Sequence, residues 1–95
     1  MTPEARVVKY FQRVAKAHGC ITRKVVYVGR RGCPDQLLIG PGVCLLCELK
    51  SADGRASEAQ KLERSVVNTL YGHDLIHHIY GKDGVDLFFE AMFDA

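Results

Sequence analysis

Gly32-Cys33-Pro34-Asp35-Gln36-Leu37-Leu38-Ile39-Gly40-Pro41-Gly42-Val43-Cys44-Leu45-Leu46-Cys47-Glu48-Leu49-Lys50 forms the middle of this 95-residue chain and organises the rest of it. It reads as a turn presenting an acid, a short strand at Gln36–Ile39, a Gly-Pro-Gly turn and a second strand at Val43–Lys50. Side chains two apart on a strand share a face, so Glu48 and Lys50 point the same way, roughly 7 Å apart. A hairpin at Gly40-Pro41-Gly42 folds the chain back and brings Asp35 beside Glu48. Two carboxylates and one amine then meet at the open end of the hairpin. Hard oxygen ligands that converge suit Mg²⁺ or Mn²⁺, and a nearby lysine can hold a water or a phosphate. These are the parts for metal-assisted hydrolysis of a phosphodiester. The plainer alternative is a turn acid and a surface ion pair. Against it, a strand made apolar by Leu45, Leu46 and Leu49 carries two charges where it ends.

Upstream, Thr2 is an N-cap and Pro3 a first helical residue. At 100° per residue, Val7, Val8, Phe11, Val14, Ala15 and His18 gather on one side of the helix that follows. Arg6, Lys9, Arg13 and Lys16 gather on the other and read as a solvated face, and Gly19 stops the helix. Glu4 falls within the apolar stripe, in line with Val8, Phe11 and Ala15. Two readings stand: an acid favoured by the helix dipole, or a third acid of the Asp35/Glu48 cluster. Residues 20–28 are β-branched and read as the first strand. Gly29-Arg30-Arg31-Gly32 then turns into the motif, either as a polar loop or as two guanidinium groups gripping phosphate.

Downstream, Ser51–Ala56 is a loop, and Ser57-x-x-Gln60 makes a capping box. Capping alone accounts for Gln60. Ala59, Leu62, Val66 and Leu70 form the expected buried stripe of this second helix, which Gly72 closes. Asp74–Tyr80 reads as a fourth strand that sends His77 and His78 to opposite faces. Those two and His73 are read as structural. Gly81-Lys82-Asp83-Gly84 is a loop with Asp83 as a cap, ahead of a terminal helix at Val85–Phe93. There Leu87, Phe88, Phe89, Met92 and Phe93 exceed what one small core needs and suggest an interface with a second copy.

Ninety-five residues suffice for one domain, 1–95. No apolar run approaches the ~20 residues of a spanning helix, and Met1-Thr2-Pro3-Glu4 lacks the plan of a signal peptide. The chain therefore reads as cytoplasmic. The net charge of +2 hides an asymmetry: residues 1–64 hold 12 of the 13 Lys and Arg, against one in residues 65–95. A basic body favours a polyanion. The four cysteines are Cys20, Cys33, Cys44 and Cys47. On a strand, Cys44 and Cys47 face opposite sides and cannot chelate one metal, so these read as reduced thiols.

A helix-borne Glu4, Gly32-x-Pro34-Asp35, a turn, Glu48-x-Lys50, a glycine-containing loop, Ser57-x-x-Gln60 and Gly72 follow one another in the chain. In this order the sequence resembles the virus-type replication-repair nuclease (VRR-NUC) family, a branch of the PD-(D/E)XK superfamily. Its small size suggests the stand-alone, phage-type members. The resemblance runs from Glu4 to about Val85. It implies an α/β fold with a restriction-endonuclease-like core, a central mixed β-sheet flanked by helices. It also implies Asp35, Glu48 and the backbone carbonyl of Leu49 as ligands of Mg²⁺ or Mn²⁺. Lys50 would orient or activate the attacking water, with Gln60 and Glu4 completing the site and Glu4 adding an acid to the metal. Arg30, Arg31 and Arg55 are the expected DNA contacts.

The activity implied is that of a homodimeric endonuclease cutting branched DNA such as Holliday junctions, in a phage-infected or bacterial host cell. Neither an organic cofactor nor a membrane is expected. Two other classes compete: a catalytically silent DNA-binding module of the same fold, and a small zinc protein using the four cysteines. The intact Asp35/Glu48/Lys50/Gln60 set argues against the silent module, because a binder has no need of acids that repel phosphate. Metal analysis separates the zinc protein.

Overall fold

The hairpin forms where its turn residues place it. In a computed structural model of the chain, which describes residues 1–94, β2 (Gln36–Gly40) and β3 (Val43–Lys50) pair antiparallel, with Gly40 opposite Val43. Pro41 and Gly42 make the connection. Proline suits the first central place of a type II turn, and Gly42, at φ 70°, supplies the left-handed backbone needed at the second. β1 (Ile21–Lys24) adds antiparallel to β2, and β4 (Ile76–Tyr80) adds parallel to β3, giving the order β1-β2-β3-β4. Three helices flank this mixed four-stranded sheet: α1 (Pro3–Ala17), α2 (Glu58–Tyr71) and α3 (Gly81–Phe93). None is long and apolar enough to cross a membrane.

One face of the sheet carries the core. Leu38, Cys47, Leu49 and Ile79 point to it, and α1 and α3 cover it with Val7, Phe11, Ala15, Val85, Phe88 and Phe89. The Phe11 ring lies 5.5 Å from that of Phe89 and 6.3 Å from that of Phe88, within the range where aromatic pairs attract. Thr2 caps α1 through its hydroxyl, which accepts from the Ala5 N–H at 3.1 Å.

The structure departs from the sequence reading at four places. The first strand ends at Lys24, because β2 begins only at Gln36, the partner of Lys24. Beyond it Val26 and Val28 lie in the open, β-branched but without a strand to pair with. The expected buried stripe of α2 is exposed instead, with Leu62 at 65%, Val66 at 45% and Leu70 at 83%. Polar anchors choose the buried face of that helix. Glu63 is buried and takes hydrogen bonds from the Tyr27 hydroxyl at 2.8 Å and Arg30 Nη2 at 3.1 Å. One turn on, the Asn68 amide accepts from the Leu75 and Ile76 N–H groups and donates to the Ile76 carbonyl.

The terminal helix starts at Gly81, directly after β4, so 81–84 are helical and Asp83 stands in the first turn. Phe88 and Phe89 are core residues. Only Leu87 and Met92 of the proposed α3 interface are exposed large hydrophobics.

Candidate active site

The β2–β3 register pairs Gln36 with Cys47, so Asp35, one residue earlier, falls beside Glu48. Two backbone hydrogen bonds hold it there. The Val25 N–H donates to the Asp35 carbonyl at 3.0 Å, and the Leu49 N–H donates to Asp35 Oδ2 at 3.0 Å. Ahead of the acid, Gly32 lies so close to α2 that a Cβ would meet the Ala59 carbonyl oxygen at 2.5 Å. Its φ of 88° also disfavours any side chain. Glycine in the Gly-x-Pro-Asp motif thus lets the loop pass under the helix and deliver Asp35 to the sheet end.

Glu48 is 1% exposed on a strand whose neighbours are apolar. Burial, and then the negative charge of Asp35, push its carboxyl up to about 7, while Lys50 pulls in the other direction. Its Oε2 lies 3.4 Å from Lys50 Nζ, whereas Oε1 is buried with no hydrogen-bond partner. A buried carboxylate oxygen without a donor is costly unless something cationic completes it. With Asp35 adjacent, the oxygen donors present are of the hard kind that suits a divalent ion.

Lys50 also reaches Glu4 Oε1 at 3.8 Å, so the ammonium stands between Glu48 and Glu4. Glu4 thus lies at the cluster and meets the lysine. Among the described residues no three of His, Cys, Asp and Glu gather as a metal-holding group. All four cysteines are free thiols, Cys20 and Cys47 buried, Cys33 half-buried and Cys44 exposed.

Gln60 does not turn to the acids. Its Oε1 accepts from the Ser57 N–H at 2.8 Å, and its own N–H donates to Ser57 Oγ at 3.1 Å, a closed capping box. Arg30 is paired with Glu63, while Arg31 is exposed. Arg55 lines an open cleft with Tyr80, the residue paired with Lys50 in the β3–β4 register.

Sequence reasoning missed the Tyr27–Glu63–Arg30 tether that holds the loop before Asp35 onto α2. Burial and Glu63 push the Tyr27 hydroxyl up to about 12, which keeps it a donor. It also missed what surrounds His78, paired with Glu48 across β3 and β4. Burial, then Arg64 and Lys50, lower its imidazole to about 4, so it is neutral at pH 7.

The arrangement defines an α/β domain with a two-carboxylate, one-lysine centre at the ends of adjacent strands. A solved structure described as a VRR_NUC domain superposes with a TM-score of 0.82 at 28% identity, covering 98% of this chain and 100% of that one. No family model and no curated protein matches the sequence. The chain has the fold of a VRR-NUC domain, as the order of its motifs implies.

Proposed function

We propose that the chain is a divalent-metal-dependent DNA endonuclease. The observation that carries this reading is the partnerless, buried Oε1 of Glu48 next to Asp35. Asp35, Glu48 and the backbone carbonyl of Leu49 would hold Mg²⁺ or Mn²⁺. Such an ion supplies countercharge for the phosphate and a water of lowered pKa.

The chain's own residues do the rest. Glu48 must release its proton to act as a ligand, so metal affinity rises as the pH passes through about 7. Lys50 is held between Glu48 and Glu4, and its ammonium would position the attacking water there. Glu4 fixes that lysine. Arg31 and Arg55 are the exposed cations offered to the DNA backbone.

Branched DNA is the substrate class proposed, cut by a homodimer whose two-fold symmetry matches that of a four-way junction. The pairing surface is α2, where Leu62, Val66 and Leu70 face outward. Side-by-side cleavage of linear, flapped and four-way DNA in Mg²⁺ tests the reading. Junction and flap should be cut and linear duplex spared. Equal rates on all three would remove the branch selectivity, and no cleavage of any would remove the nuclease assignment.

A further inference from the structure

Beside the acid pair, α1 and the β1–β2 pair enclose an open cavity of about 460 Å³. Along α1 it runs from Glu4 to Gln12, about 12 Å at 1.5 Å per residue. Asp35 and Glu4 tie it to the candidate site, yet most of its lining has no part in that site.

Three kinds of group line it. Val8 gives an apolar wall. Lys9 and Lys24 bring two ammonium groups, neither with an ion-pair partner among the described residues. Gln12 and Gln36 add two amides, joined only by a 3.5 Å bond from Gln12 Nε2 to Gln36 Oε1, at the outer limit of a hydrogen bond. Gln36 is 5% exposed, a buried amide with slack in its partnering.

The two lysines call for an anion and disfavour a metal ion, while the apolar wall and the amides ask for more than a bare anion offers. A nucleotide meets every requirement: phosphate for the ammonium groups, a flat apolar ring for Val8, and a polar base edge for the amides. The volume lies toward the low end of ligand cavities and suits one nucleotide.

The geometry points to this cavity as the seat of one unpaired nucleotide of the substrate strand, next to the candidate site at Asp35. The inference rests on the nuclease reading and gives it a physical source of branch selectivity. Extruding a base from intact duplex is costly, and it costs least where the base is already unpaired. Flaps and junctions offer such bases at the branch point.

The test places 2-aminopurine at successive positions around the branch of a flapped duplex and adds the full chain with Ca²⁺ replacing Mg²⁺. Emission should rise at one position as that base leaves the stack. Gln12→Ala should abolish the rise and lower the preference for flap over fully paired duplex about tenfold. Lys9→Ala and Lys24→Ala should each weaken binding and reduce the salt slope by about one. Binding without an emission change at any position, or an unchanged preference in Gln12→Ala, would overturn this inference alone. Absence of any DNA binding or cleavage by the unaltered chain would overturn the nuclease reading and this inference together.

Discussion

The two faces of the sheet solve different problems. Against α1 and α3 the packing is apolar and closed, with Phe11, Leu38, Leu49 and Val85 all at 0% exposure. Against α2 the contacts are polar and specific: Glu63 to Tyr27 and Arg30, and Asn68 to the start of β4. Burying charge and amide groups contributes little net stability, and each must be satisfied. The α1/α3 face therefore holds the fold together, while the α2 face sets positions: where Asp35 arrives and which side of α2 looks outward.

The largest contrast comes from placing the same charge in the apolar core and on the outer side of α2. Phe89→Asp puts an unpaired carboxylate among Phe11, Phe88 and Phe93, and the chain should fail to fold, losing at least about 4 kcal/mol. Leu62→Asp, on the exposed stripe of α2, should change monomer stability by less than about 0.5 kcal/mol while shifting the mass by light scattering from dimer to monomer. A folded Phe89→Asp chain would contradict the division of labour. An unchanged mass in Leu62→Asp would remove α2 from the interface.

Much of the first face is legible in the sequence. The period of Val7, Phe11 and Ala15, the Thr2-Pro3 start and the Gly-Pro-Gly turn are each local signals whose cause lies within a few residues. The register that brings Asp35 to Glu48 follows from that turn. The second face is less legible, because an amphipathic stripe shows that a helix has an apolar side and not what that side meets. Leu62, Val66 and Leu70 read as core, yet the helix is turned by Glu63 and Asn68, whose partners are 36 residues upstream in one case and 8 downstream in the other. Val26 and Val28 fail as strand for a similar reason: their residue types favour a sheet, but no partner strand extends that far. Gln60 satisfies a cap and a catalytic motif with the same spacing, and the structure shows the cap.

Smaller effects sharpen the account of the second face. Glu48→Gln tests how much the site costs the apo fold. Its carboxyl is raised from 4.5 to about 7, so the folded chain holds a proton that the unfolded chain has lost. That contribution is fully present below about pH 4.5 and is lost as the pH rises through about 7. Glu48→Gln should therefore be more stable than the parent at pH 8, by about 2–3 kcal/mol in chelator, and nearly equal to it at pH 4. His78 runs the other way: lowered from 6.5 to about 4, it loses stability as the pH falls through that window. Thermal melts across pH 4–8 should show the parent nearly level between 4.5 and 6.5 and the variant rising. Parallel curves would mean that Glu48 is not strained in the absence of metal.

Glu4→Gln keeps the helix start and removes only the charge facing Lys50 across 3.8 Å. Cleavage should slow about tenfold, or 1.4 kcal/mol, with Mn²⁺ affinity unchanged, because this acid holds the lysine. A matching loss of Mn²⁺ affinity would return Glu4 to the metal ligands.

The central claim is that Asp35 and Glu48 hold a metal and Lys50 does not. Mn²⁺ titration by calorimetry of the unaltered chain, Asp35→Ala and Lys50→Ala tests it most directly. Binding is expected in the first, none measurable in Asp35→Ala, and near-normal affinity in Lys50→Ala despite its loss of cleavage. Undiminished Mn²⁺ binding by a folded Asp35→Ala chain would contradict it.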